Sequence, residues 1–182
     1  MAQVVEICPY DPAWPSLFAA LGVRLRDALG SVALRIDHIG STSVPGLAAK
    51  PIVDVQLSVA ALDPVDAYRV PLEGLGLVFR SENTERTKRY FREAPGTRRT
   101  HIHVRRAGSW AEQFALLFRD YLRAHPEERD RYAELKRGLA RELREDRQCA
   151  GRPARSRECK SHTGKAQPAI PTPSHASAPA RA

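Results

Sequence analysis

The segment Ile52-Val53-Asp54-Val55-Gln56-Leu57-Ser58-Val59 constrains the fold more than any other stretch of the chain. Side chains alternate across a β-strand, so Val53, Val55, Leu57 and Val59 share one apolar face while Asp54 and Gln56 share the other. Such a strand needs neighbouring strands and a helical layer on its apolar side. It also carries a carboxylate that cannot be buried cheaply without a metal, a cation or hydrogen-bond donors beside it. Lys50 is the nearest cation in sequence.

The flanking sequence supplies the other elements. Trp14, Leu17, Phe18, Leu21, Leu25 and Leu29 recur three or four apart, which predicts an amphipathic helix stopped by Gly30. Residues 34–39 read as a short strand, broken at Gly40 by a small-residue loop that ends near Pro45-Gly46. A helix is expected over 64–75, weaker strands over 77–80 and 89–92, and an alternating strand Thr100-His101-Ile102-His103-Val104-Arg105 with both histidines on one face. Ser109 and Glu112 form a capping box before a helix whose Trp110, Phe114, Leu117 and Tyr121 are expected to face the core. Pro126 opens a last helix with Tyr132, Leu135, Leu139 and Leu143 as its apolar stripe. The uneven alternation predicts an α/β (α+β) domain, a mixed sheet with flanking helices.

A chain of 182 residues holds one ordinary domain with a core of its own. The domain is expected over 1–147 and a tail over 148–182. From Arg147 onward there are seven Lys/Arg and one Glu, so six of the eight formal positive charges lie there. The basic balance is therefore no argument that the domain binds nucleic acid or a membrane. Ile170 is the one large aliphatic after Arg147 and no aromatic follows Tyr132, so the tail cannot bury enough surface to order itself and is expected to be disordered. Its Arg, Ala, Pro and Ser mixture is what an out-of-frame reading of a GC-rich gene gives. Cys8, Cys149 and Cys159 form neither a disulfide framework nor a Cys-x-x-Cys pair, no apolar run reaches the roughly 20 residues of a membrane span, and a cytoplasmic protein is expected.

Gly40-Ser41-Thr42-Ser43 sits between a strand and a turn, where backbone N–H groups and small hydroxyls can cradle phosphate oxygens. The bland alternative is a tight connection capped by a hydroxyl. His101 and His103 can join Asp54 around one metal, with His38 as a further candidate, although its parity with Leu34 and Ile36 suits a core histidine equally. Imidazole favours Mn, Zn or Fe over Mg. Arg98, Arg99, Lys88, Arg89 and Arg92 can neutralise a phosphate-bearing ligand or simply face water.

The run from Asp37 through Gly40-Ser41-Thr42-Ser43-Val44-Pro45-Gly46 to Lys50-Pro51-Ile52-Val53-Asp54 resembles the signature block of the GrpB family. Tyr10-Asp11-Pro12-Ala13-Trp14, His101-Ile102-His103-Val104 and Phe118-Arg119-Asp120-Tyr121-Leu122-Arg123-Ala124-His125-Pro126 extend the resemblance over about residues 4–147. It implies a nucleotidyltransferase fold, in which a Gly-Ser turn holds a nucleotide's phosphates and an Asp two positions before a second acid binds divalent metal. Gly40 and Ser41 match the turn, with Thr42, Ser43 and Lys50 beside them as phosphate-binding candidates. Asp54 matches the first acid, and Gln56 stands where the second would be. The implied function is nucleotidyl or phosphoryl transfer to or from a nucleotide or other phosphorylated small molecule, with Asp54 catalytic and Mg, Mn or Zn as cofactor. The alternative is a non-catalytic nucleotide- or phosphate-binding module linked to coenzyme A metabolism, because GrpB-type domains occur fused to dephospho-coenzyme A kinases. The chain has no Gly-Lys-Ser/Thr phosphate loop of its own.

Overall fold

In the computed structural model residues 6–150 are described, the side chains of 143–150 excepted. The central strand β2 (Val53–Val59) lies antiparallel to β1 (Arg35–Ile39) on one side and parallel to β5 (Thr100–Arg106) on the other. β4 (Lys88–Glu93) pairs antiparallel with β5, and β3 (Leu77–Phe79) closes the edge, giving the order β1-β2-β5-β4-β3. This is the expected mixed sheet.

The alternation in β2 resolves as expected. Val53, Val55, Leu57 and Val59 are all buried against Leu25 and Leu29 of α1 (Trp14–Leu29) and Tyr68 and Leu72 of α2 (Asp66–Gly74). Ile102 and Val104 of β5 and Phe91 of β4 complete this core. Fully burying side chains of this size contributes about 1.5–3 kcal/mol each, which fixes the register: a slip by one residue would turn Asp54 and both histidines into the core.

The polar face is partly covered by α3 (Trp110–Ala124), which leads into α4 (Pro126–Ala150). Ser109 caps α3 by accepting from the Glu112 backbone N–H at 3.3 Å. Glu112 answers one residue earlier than the capping box predicts, taking the Gly108 N–H at 2.7 Å, and its other oxygen accepts from the Ser58 hydroxyl. The carboxylate is thereby sealed between helix and sheet.

Two apolar stripes do not lie where their spacing suggests. Trp110, Phe114, Leu117 and Tyr121 face solvent, Trp110 at 75% exposure, and α3 turns Glu112, Leu116, Arg119 and Leu122 inward instead. In α4, Ala133 and Ala140 are buried and Tyr132 is half-buried, whereas Leu135 and Leu139 are exposed; the Leu143 side chain lies outside the described residues. The inward sides of both helices carry the side chains that hold the loop after β1. Periodicity locates a stripe but not the surface that covers it. The expected start of the tail at 148 falls inside α4, and residues 151–182, with the disorder expected of them, lie outside the described residues.

Candidate functional site

β1 ends at Ile39, opposite Asp54 in β2, and Asp54 stands opposite His101 in β5. Gln56 and His103 form the next pair along. Adjacent strands therefore deliver Asp54, His101 and His103 to one patch of the polar face. His101 Nδ1 and His103 Nε2 each lie 3.2 Å from the same Asp54 oxygen, Oδ1. The three ligand atoms fall within 4.8 Å of one another. The second ring nitrogens, His101 Nε2 and His103 Nδ1, are buried without a partner.

Burial pushes the Asp54 carboxyl up, but hydrogen bonds from His101 and His103 and their nearby charge outweigh it and bring the group down to about 2. Burial lowers the His103 imidazole, against the pull of Asp54. Asp54 is thus a carboxylate at neutral pH, sharing one oxygen between two imidazoles. Tyr90 of β4 stands 5.4 Å from the His101 ring and 5.3 Å from the His103 ring, centroid to centroid, and walls the pair on the far side.

Gly40 brings the loop onto this carboxylate. Its φ of 69° and ψ of −173° lie in a region open in practice to glycine alone, and a Cβ there would sit 2.7 Å from Asp54 Oδ2. The turn Ser41–Ser43 follows. Thr42 and Ser43 are buried and their hydroxyls are spent on the backbone, Thr42 donating to Ile52 O at 3.0 Å and Ser43 to Gly40 O at 2.6 Å. The Ser41 hydroxyl instead meets Lys136 beside the hollow next to Asp54. That cavity, about 290 Å³, is lined by Ser41, Lys50, Asp54, His101 and Lys136 among others. A larger hollow of about 510 Å³ at the β3–β4 hairpin holds neither Asp54 nor the histidines.

Lys136 has no signature in the sequence, lying 95 residues from Ser41 on a helix whose visible pattern is its leucines. Its Nζ donates to Ser41 Oγ at 2.9 Å and to Ala48 O at 2.7 Å. Burial, helped by Arg137, lowers this ammonium to about 8. Arg119 donates to His38 O, Arg123 to Ser43 O and Arg129 to Pro45 O, so the inward sides of α3 and α4 hold the loop by its carbonyls.

His38 is on the other face of the sheet. It is stacked on Phe18 of α1 at 4.7 Å, bonded to Thr42 Oγ1 at 3.1 Å, and lowered to about 4, chiefly by burial. It is not brought to the Asp54 cluster. Gln56, which the resemblance sets where a second acid would stand, is fully buried, and its amide pins α3 by donating to Glu112 O at 3.3 Å. Of the cations near β4, Arg92 and Arg99 pair with Glu93, Lys88 with Glu85, and Arg89 with Asp63.

The family model described as GrpB protein matches residues 4–150. The chain belongs to the GrpB family. A UPF0157 protein of Pseudomonas aeruginosa is 43% identical over 148 residues, which cover 79% of this chain and 60% of that protein. A dephospho-CoA kinase of Mycobacterium tuberculosis is 36% identical over 156 residues, covering 72% of this chain and 38% of the kinase. The chain thus spans well under the full length of both. The crystal structure of conserved protein GrpB from Enterococcus faecalis superposes with a TM-score of 0.69 at 36% identity, covering 75% of this chain and 83% of that one. The GrpB domain here is a mixed sheet flanked by helices, and among its described residues no helix is long and apolar enough to cross a membrane.

Proposed function

We propose that this GrpB-family chain binds a nucleotide or another phosphate-bearing small molecule beside a single divalent metal and transfers a nucleotidyl or phosphoryl group. The observation that carries the reading is the convergence of Asp54, His101 and His103, of which Asp54 and His101 line a hollow shared with Ser41 and Lys136. The donor set fits a metal: one carboxylate oxygen and two imidazole nitrogens, with the carboxylate ionised. Two imidazoles and one acid suit Zn, Mn or Fe better than Mg, and with Gln56 buried against α3 the site provides for one ion. When bound, the ion would act as a Lewis acid on a phosphoryl oxygen.

The chain's own residues do the rest. Lys136 presents an ammonium beside the Ser41 hydroxyl, and Lys50 adds an exposed cation at the same rim, so phosphate oxygens would be neutralised from two sides. Gly40 lets the turn approach the Asp54 carboxylate, and Tyr90 packs against both imidazole rings. A second reading, a binding module without turnover, is favoured by one specific fact: Gln56 leaves the second acid of a two-metal site missing. Because relatives named dephospho-CoA kinase contain a similar region, coenzyme A precursors belong in the ligand panel.

The test is thermal unfolding of the chain and of Asp54→Asn with Zn, Mn or Mg alone, then with nucleotides and coenzyme A precursors, followed by turnover of labelled nucleotide. A metal at a hundredfold excess over Kd adds about 2.7 kcal/mol of stability. That gain should appear with Zn or Mn, exceed the gain with Mg, and vanish in Asp54→Asn. Equal unfolding of both proteins with every metal would defeat the reading, and ligand binding without turnover would leave the module.

A further inference from the structure

The outward face of α3 is the part of the molecule that the site does not explain. Most apolar helices in a small domain turn their stripe to the core. Here the inward side carries Glu112, Arg119 and Arg123, each bonded to the sheet or the loop, while Trp110, Phe114, Leu117 and Tyr121 stand in solvent at 75%, 54%, 60% and 48% exposure. Ring contacts make the surface continuous: Trp110 to Phe114 at 5.7 Å, Phe114 to Phe118 at 6.2 Å, and Phe118 across to Tyr132 of α4 at 5.3 Å. Leu135 and Leu139, three and seven residues beyond Tyr132, carry it along α4 on the same stripe.

We infer that two copies of this chain pair through this face of the α3–α4 hairpin, as a two-fold dimer. The area agrees. At roughly 200 Å² per aromatic side chain, the exposed parts of Trp110, Phe114, Phe118 and Tyr121 amount to about 400 Å², and the three leucines bring the surface to on the order of 700 Å². That exceeds the largest apolar patch of an ordinary monomer, roughly 300–600 Å², and approaches the roughly 800 Å² per partner of a standard interface. A two-fold axis lets one patch cover itself. Exposed Gln113 and Asp120 border it on α3 and Arg131 and Glu142 on α4, the polar rim around an apolar centre that interfaces show. Residues 151–182 are a poor alternative occupant, holding no aromatic and one large aliphatic, Ile170.

Pairing has a consequence for the pocket. It would clamp the two helices whose inward sides hold the loop through Arg119, Arg123, Arg129 and Lys136.

Sedimentation equilibrium of the full chain over roughly a thousandfold range of concentration tests the pairing, because association follows mass action. The expected result is a doubled mass at the upper end. Phe114→Asp with Leu117→Lys, and separately Leu135→Lys with Leu139→Lys, should each return the mass to one chain while far-UV circular dichroism stays unchanged. All four side chains are exposed, so neither variant removes core packing. A wild-type mass of one chain at every concentration would overturn the proposal. So would a doubled mass that survives in both variants.

Discussion

Replacing Gly40 by alanine should be among the most damaging single-methyl additions in the domain. Two separable terms contribute. A side chain at φ 69°, ψ −173° is strained by about 1–3 kcal/mol whatever its surroundings. The new Cβ would also lie 2.7 Å from Asp54 Oδ2, 3.1 Å from its Cβ and 3.2 Å from its Cγ, and overpacking of this kind costs a further 1–3 kcal/mol, roughly. Asp54 cannot swing aside freely, because moving its carboxylate breaks the contacts with His101 and His103 at 3.2 Å. The expected loss is about 4 kcal/mol, read in urea as a fall in midpoint with unchanged slope. A double-mutant cycle separates the terms: in an Asp54→Ala background two of the three close contacts disappear, so Gly40→Ala should cost only about 1–3 kcal/mol. A cost below about 1 kcal/mol in the wild-type background, or strict additivity in the cycle, would refute the close approach of turn and carboxylate.

Placing an acid at position 56 by Gln56→Glu should destabilise the domain by about 3 kcal/mol and leave metal-dependent stabilisation unimproved, because the side chain is fully buried and its amide is a donor to Glu112 O; urea denaturation with and without Zn or Mn checks both. Lys136 gives a pH signature. Its folded pKa of about 8 lies below the ordinary 10.5, so between those values the unfolded chain holds the proton more tightly and stability must rise with pH. The wild type should gain about 1 kcal/mol on Lys136→Met across that window, allowing for solvent screening of a half-buried group, and parallel profiles would refute the placement.

The alternation of β2 and of the His101–His103 strand was legible because both faces obey period two, and Asp54 stood out as the acid in an apolar strand. Gly40 and Ser41 were legible as a turn beside a strand. Three features were not. The lock between Gln56 and Glu112 joins residues far apart in sequence, and nothing local marks it. Lys136 meets Ser41 through a helix crossing. The α3 stripe was read with the right period and assigned to the wrong neighbour, since hydrophobic spacing is the same whether the covering surface is the domain's own core or something outside it.

The cations that hold the loop reach it across long stretches of chain: Arg119 to His38, Arg123 to Ser43, Arg129 to Pro45 and Lys136 to Ser41, at separations of 81, 80, 84 and 95 residues. Loop closures of that span come late in folding, because their entropy must be overcome before the contact exists. The strands that carry Asp54 and both histidines are complete at Arg106, and the four cations follow at 119, 123, 129 and 136. The acid and the imidazoles can therefore meet on the sheet alone, but the Ser41–Ser43 turn and the residues beside it gain these four contacts only when the hairpin of α3 and α4 has folded back over them.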